Sequence, residues 1–129
     1  MNWFRLLVVA AFLAAASSYL VYSTIYEPSE GVETTITVYM REYYYLPDEV
    51  HVRRNVKTLI VFVNDGAYPH NAYLSEEKRD LTPVMYPGNK TSVEVLFRQS
   101  GVYSVLCTVA YPAPVSHYEL GMRARLVVR

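Results

Sequence analysis

Cysteine is nearly absent from this sequence of 129 residues, which contains only Cys107. A single cysteine excludes an internal disulfide framework, which is how many small exported domains are stabilised. Two explanations for the residue remain. Free cysteine is often a small buried hydrophobic residue, and its thiolate is also a strong metal ligand. The histidine and methionine that follow Cys107 in the sequence favour the second explanation.

Net charge is also absent, because 12 basic residues balance 12 acidic ones. A nucleic-acid-binding surface needs clustered lysine and arginine, so we expect no nucleic-acid partner. Tyrosine, in contrast, occurs 13 times, and hydrophobic residues make up 52% of the chain. Aromatic residues favour strands, so the composition predicts an all-β domain.

The longest uncharged apolar run lies near the N-terminus, from Leu6 to about Tyr26. A helix of about 20 apolar residues is long enough to cross a bilayer. Arg5 precedes the run and Glu27 follows it. Because basic residues tend to stay cytoplasmic, we expect residues 1–26 to be a single-pass transmembrane helix that holds the domain outside the plasma membrane, on the extracellular or periplasmic side. The alternative is a secretory signal with a cleavage site at residues 14–16, and it also exports the domain.

After a short polar tether at residues 27–32, the rest of the chain, residues 33–129, consists of short alternating runs separated by turn residues. This pattern is typical of a sandwich or barrel, and we expect a closed or two-sheet antiparallel domain. Residues 59–63 are apolar on both faces, which predicts a central buried strand. The last run is the clearest, because alternate residues share one face: Met122, Ala124, Leu126 and Val128. Met122 should therefore point into the core.

Two segments contain residues that can bind a soft metal ion. His70 follows a predicted strand, and Cys107, His117 and Met122 lie between or beside the last two predicted strands. Each residue alone has an ordinary explanation as a loop or core residue. Together they would converge at one end of the sandwich. Two imidazoles, one thiolate and a weak thioether form the ligand set of a mononuclear copper site.

These motifs resemble those of cupredoxins, the small blue copper proteins, over about residues 33–129. The similar segments are Pro69-His70-Asn71, Gly101–Thr108 and His117–Met122. The last segment, with Cys107-Thr108, resembles archaeal sulfocyanins most, and plastocyanins more distantly. The resemblance implies a cupredoxin-like Greek-key β-sandwich that binds one copper ion. It also implies that Asn71 and Thr108 join the two ligand-bearing loops and tune the site.

The sequence departs from the family in the spacer between Cys107 and His117, since residues 108–116 form a longer loop than small cupredoxins generally have. By resemblance, we expect His117 to lie near the surface as the electron port. The loops expected to surround it contain Tyr68, Pro69, Tyr111 and Pro112. The remaining histidine, His51, alternates with valines, so it should face solvent without a role at the site.

The function that the resemblance implies is electron transfer between membrane redox partners, such as a cytochrome or terminal oxidase, and not catalysis. Two alternatives remain: copper delivery or storage, and a mononuclear copper enzyme with an open ligand position. A multicopper oxidase would need histidines on both sides of the cysteine, whereas Leu106 and Thr108 flank Cys107 here.

Overall fold

The computed structural model describes residues 31–129. The expected anchor at residues 1–26, and residues 27–30 of the expected tether, lie outside the described part of the chain. Within residues 31–129, no helix is long and apolar enough to span a membrane.

Two β-sheets form the domain, which confirms the all-β sandwich. One sheet has four strands in the order β2-β1-β4-β7, and the other has five in the order β3-β9-β8-β5-β6. The strands are β1 (Thr34–Arg41), β2 (Tyr44–Leu46), β3 (Glu49–Val52), β4 (Thr58–Asn64), β5 (Tyr73–Leu74), β6 (Arg79–Asp80), β7 (Lys90–Val95), β8 (Gly101–Leu106) and β9 (Arg123–Val128).

The expectation of a purely antiparallel domain is wrong for two strand pairs. β1 runs parallel to β4 over the whole length from Thr34↔Thr58 to Met40↔Asn64, and β3 runs parallel to β9. The cause is the path of the chain, which leaves the first sheet after β2, adds β3 to the second sheet and returns for β4. A strand that returns after such a crossing can run in the same direction as an earlier one, which a hairpin connection does not allow.

Alternation along the strands places the core between the sheets. In β9, Ala124, Leu126 and Val128 are buried, and Arg123 and Arg125 are exposed, as the sequence predicts. β4 is an inner strand, but its two faces differ: Ile60 and Phe62 are buried, whereas Leu59, Val61 and Val63 on the other face are half-buried. The Leu59–Val63 run was therefore correctly predicted to be a central strand, but only one of its faces is fully covered.

The ends of three strands meet where the predicted metal-binding residues lie. β4 ends at Asn64 and leads into the segment that contains His70, while β8 ends one residue before Cys107 and β9 begins one residue after Met122. Backbone hydrogen bonds hold the connection between β8 and β9 together. The Cys107 N–H donates to the Met122 carbonyl over 3.3 Å, and the Met122 N–H donates to the His117 carbonyl over 2.9 Å. The fold therefore brings these predicted residues to one end of the sandwich.

Candidate metal centre

Three potential ligand side chains converge at this end: His70, Cys107 and His117. Their ligand atoms all lie within 4.8 Å of one another, and all three residues are buried. The two imidazole Nδ1 atoms are 3.0 Å apart. The Cys107 Sγ lies 3.4 Å from the Nδ1 of His117 and 3.8 Å from the Nδ1 of His70. One thiol sulfur and two imidazole nitrogens thus face a common point.

Each of these imidazoles has a hydrogen-bond acceptor at its other nitrogen. The Nε2 of His70 lies 3.0 Å from a carboxylate oxygen of Glu42, and the Nε2 of His117 lies 2.5 Å from the backbone carbonyl oxygen of Tyr111. Both oxygens only accept, so each Nε2 must carry the proton. A ring whose single proton is on Nε2 directs an unprotonated Nδ1 toward the shared point, which is the tautomer that a metal requires.

This tautomer assignment provides a test of whether the residues suit a metal. Two Nδ1 lone pairs that face each other across 3.0 Å repel unless a positive centre lies between them. Imidazole nitrogen and thiolate sulfur together suit copper, which needs soft sulfur in its reduced state and nitrogen in its oxidised state. The donor set at this end of the sandwich therefore fits a copper ion.

Met122 is fully buried beside this group. Its backbone hydrogen bonds to His117 and Cys107 keep it next to both residues. Because Met122 shares a face with Ala124 of β9, its thioether lies on the core side of the chain. The position is compatible with a weak fourth ligand on the inner side of the group.

Burial determines the protonation of two of the groups. It lowers the pKa of His70, and the nearby His117 also lowers it, against the opposing effect of Glu42. Burial raises the pKa of the Cys107 thiol, although the N–H groups of Asn71 and Val109 partly offset this. His70 is thus neutral at physiological pH and ready to bind a metal, whereas Cys107 loses its proton when a cation binds.

Two hydrogen bonds join the loop that contains His70 to the segment after β8. The Asn71 side chain donates from Nδ2 to the Thr108 hydroxyl over 2.9 Å and accepts from the Thr108 N–H over 2.8 Å. The Asn71 N–H also points at the Cys107 sulfur, 3.5 Å away. Asn71 and Thr108 therefore connect the two segments that contain the potential ligands His70 and Cys107. A donor aimed at the sulfur favours its ionised form.

The expectation that His117 lies near the surface is wrong, because the residue is only 1% exposed. The long loop of residues 108–116 is the reason, since its Tyr111 carbonyl covers the Nε2 edge of the ring. The ring of Tyr43 packs edge-on against the same imidazole, with centroids 4.8 Å apart. The exposed group above the site is instead Tyr111 itself, which is 55% exposed and packs edge-on against Tyr68.

Several residues that support the site were missed by the sequence reasoning. Asn64 donates from its amide to the carbonyls of Tyr68 and Met85 and accepts from the Gly66 N–H, which fixes the turn before His70. The buried Tyr45 hydroxyl donates to the Asn71 carbonyl over 2.6 Å. Apart from Asn64 at the end of the β4 apolar run, no local pattern marks these residues. His51 is exposed and pairs with Glu49, as expected of a residue outside the site.

The domain is similar to known proteins in sequence pattern and in fold. A family model described as a cupredoxin-like domain matches residues 4–115, which include His70 and Cys107 and end before His117. Auracyanin from Roseiflexus castenholzii superposes with a TM-score of 0.62 and 23% identity, covering 77% of this chain and 99% of its own. No curated protein matches the chain.

Two further solved structures share the fold. Auracyanin A from Chloroflexus aurantiacus, described as a blue copper protein, gives a TM-score of 0.61 and 21% identity, covering 74% of this chain and 98% of its own. A multicopper oxidase gives 0.60 and 19%, but the match covers 41% of that longer protein and 74% of this chain. At these identities the likeness concerns the fold alone.

Proposed function

The chain belongs to the cupredoxin family, and we propose that it carries single electrons on one copper ion bound by His70, Cys107 and His117, with Met122 as a weak axial ligand. The observation that carries this proposal is the convergence of one sulfur and two Nδ1 atoms in a buried group, with a hydrogen-bond acceptor at the Nε2 atom of each ring. A copper ion bound there supplies a one-electron redox couple.

The surrounding residues favour electron transfer because they hold the ligands rigidly. Each imidazole is fixed through its Nε2 atom, and the Asn71–Thr108 pair fixes the two loops relative to each other. A ligand set that does not move on a change of oxidation state keeps the barrier to electron transfer low. The structure therefore supports an electron carrier rather than a site that must open.

An enzymatic role has less support, although the fold also occurs in a multicopper oxidase. The four proposed ligands leave no position for a substrate, and His117 is covered by the Tyr111 carbonyl. Copper delivery or storage is the other alternative. Transfer sites need exposed ligands that release the ion easily, whereas His70, Cys107 and His117 are all buried. Copper delivery predicts that the ion is lost on reduction, whereas an enzyme with an open ligand position predicts a spectral change with azide.

The location and partners belong to the same proposal. We assign residues 1–26 as a membrane anchor that places the domain at the outer face of the plasma membrane, where a cytochrome or terminal oxidase is the natural class of partner. An uncharged groove beside Tyr111 supports docking of such a partner near the site. Its lining residues are Ala67, Tyr68, Pro69, Val84, Tyr86, Pro87, Val109 and Tyr111.

The test is to load the full-length protein with copper(II) and record its visible spectrum and voltammogram. We expect intense thiolate-to-copper absorption and a reversible one-electron wave, both abolished by Cys107→Ser. His51→Ala, which changes an exposed histidine, should leave both intact. A colourless protein that retains no copper would refute the proposal. Loss of the ion on each reduction would instead favour copper delivery, and a spectral change on adding azide would favour an open enzymatic site.

A further inference from the structure

Glu42 connects the turn between β1 and β2 to the loop that contains His70. One of its carboxylate oxygens, Oε1, accepts three hydrogen bonds. The donors are the Ala67 N–H and the Tyr68 N–H, both at 2.8 Å, and the Nε2 of His70 at 3.0 Å. The side chain is 24% exposed, and the imidazole that it contacts is fully buried. Glu42 therefore links a proposed ligand to the backbone that precedes it.

The backbone of this loop leaves room for the carboxylate. A Cβ atom at Gly66 would collide with both carboxylate oxygens of Glu42. Since Gly66 has none, the loop can wrap around the carboxylate and direct two consecutive N–H groups at it. The two backbone hydrogen bonds therefore join the carboxylate to the loop at the position where Gly66 leaves room for it.

The two imidazoles differ in the charge of their second partner. A neutral backbone carbonyl accepts from His117, and this alone is enough to fix a tautomer. His70 donates to a carboxylate instead. Two backbone N–H groups and His70 all donate to the same carboxylate oxygen of Glu42, and such donors favour the ionised form of a carboxyl group.

Among residues 31–129, no lysine or arginine side chain pairs with Glu42, and its hydrogen-bonded partner His70 is neutral. The neighbouring Arg41 pairs with Asp65 instead, through both its Nε and its Nη2. A negative charge therefore lies one imidazole away from the point that the ligand atoms face.

We infer that Glu42 is a positioning residue that fixes His70 for metal binding and lowers the reduction potential of the site; this inference rests on the proposed copper function. The carboxylate polarises the Nε2–H bond and makes the imidazole a stronger donor at Nδ1. A stronger donor and a nearby negative charge both favour the more positive oxidised ion over the reduced one.

Glu42→Gln isolates the charge, because its carbonyl oxygen can still accept the three hydrogen bonds. We expect the ratio of copper(II) to copper(I) affinity to fall about tenfold, which corresponds to a rise of about 59 mV for a one-electron couple. Glu42→Ala removes the hydrogen bonds too and should weaken copper binding by about 10-fold to 100-fold. Glu94→Gln is the matched control, since it removes an exposed carboxylate that pairs with Lys57. Glu94 lies opposite Leu59 near the start of β4, whereas His70 follows the other end of that strand.

The effect of Glu42 on His70 can be measured in the metal-free protein, independently of copper binding. Nitrogen-15 NMR should show His70 protonated at Nε2 in the wild type and in Glu42→Gln, and a tautomer mixture in Glu42→Ala. A wild-type protein without a reversible couple would refute the electron-transfer proposal and leave this NMR result to decide the role of Glu42. His70 protonated at Nδ1 in the wild type, or an unchanged potential in Glu42→Gln, would overturn the inference.

Discussion

The imidazole of His117 donates its Nε2 proton to the backbone carbonyl of Tyr111, 2.5 Å away, and so lies beneath the loop that joins it to Cys107. This contact buries a ring that the family resemblance would place at the surface. A partner at this end of the molecule meets Tyr111 before it can reach His117. The loop therefore adds a layer of protein between the proposed copper site and any partner that docks there.

Deleting residues 112–115 should uncover the Nε2 edge of His117 and increase the rate of electron self-exchange, because two molecules could then approach with the proposed ligands closer together. NMR line broadening in mixtures of oxidised and reduced protein measures this rate. Pro112→Ala/Pro114→Ala is the control, since it changes the composition of the loop but keeps its length. An equal rate in the deletion variant, with its copper spectrum retained, would show that the loop does not limit transfer.

The hydrogen bonds between Asn71 and Thr108 should stabilise the metal-free protein. Asn71→Ala breaks both of them and leaves the Thr108 N–H without its partner, so we expect the free energy of unfolding to fall by about 1–3 kcal/mol. Thr108→Val breaks only the hydroxyl bond and should have a smaller effect. Urea unfolding measures both values. If the two variants were equally stable, the bond from the Thr108 N–H would contribute nothing.

Met122→Leu should keep copper bound and raise the reduction potential, because the more positive oxidised ion loses more stabilisation than the reduced ion when a donor atom is removed. The swap nearly conserves volume, so the cost in stability should stay below about 1.5 kcal/mol. Met40→Leu, at another fully buried methionine in β1, is the matched control and should leave the potential unchanged. A Met122→Leu potential equal to that of the wild type would remove Met122 from the proposed ligand set.

The features that could be predicted from the sequence are those that depend on local periodicity. Alternation in β9 orients Ala124 and Leu126 without reference to the rest of the chain. Alternation carries no information on strand direction, so the parallel pairing of β1 with β4 could not be predicted from it. The burial of His117 depends on the path that one loop takes.

The contact between Glu42 and His70 was missed for a different reason. The two residues are 28 positions apart and are joined by the crossing between sheets, which places the turn after β1 beside the loop after β4. A pattern within either segment does not report that meeting. The convergence of Cys107, His117 and Met122 could be predicted more easily, because these residues lie in one loop and at the ends of the two strands that it connects.

Glu76 gives the domain a pH-dependent contribution to stability that is separate from the metal centre. Its carboxylate accepts from the Ser104 N–H over 2.7 Å and from the Ser104 hydroxyl over 2.9 Å, which joins the segment after β5 to β8. Burial alone would raise the pKa of Glu76, but these two hydrogen bonds outweigh it and the pKa is lowered. The native state therefore holds the ionised form more favourably than the unfolded chain does.

The lowered pKa of Glu76 determines how its contribution to stability changes with pH. A carboxylate whose pKa is lower in the native state contributes stability above its unfolded pKa of about 4.3, and the contribution is lost as the pH falls through the native value. Glu76→Ala should therefore destabilise the metal-free protein at pH 7 by about 0.5 kcal/mol, a small effect because the group is exposed and screened by solvent. Urea unfolding at pH 7 and near pH 3 measures the difference, which should vanish at the lower pH. Glu77→Ala, which removes the neighbouring exposed carboxylate that pairs with Arg79, controls for net charge. A Glu76→Ala effect that persisted unchanged near pH 3 would show that the ionised carboxylate is not its source.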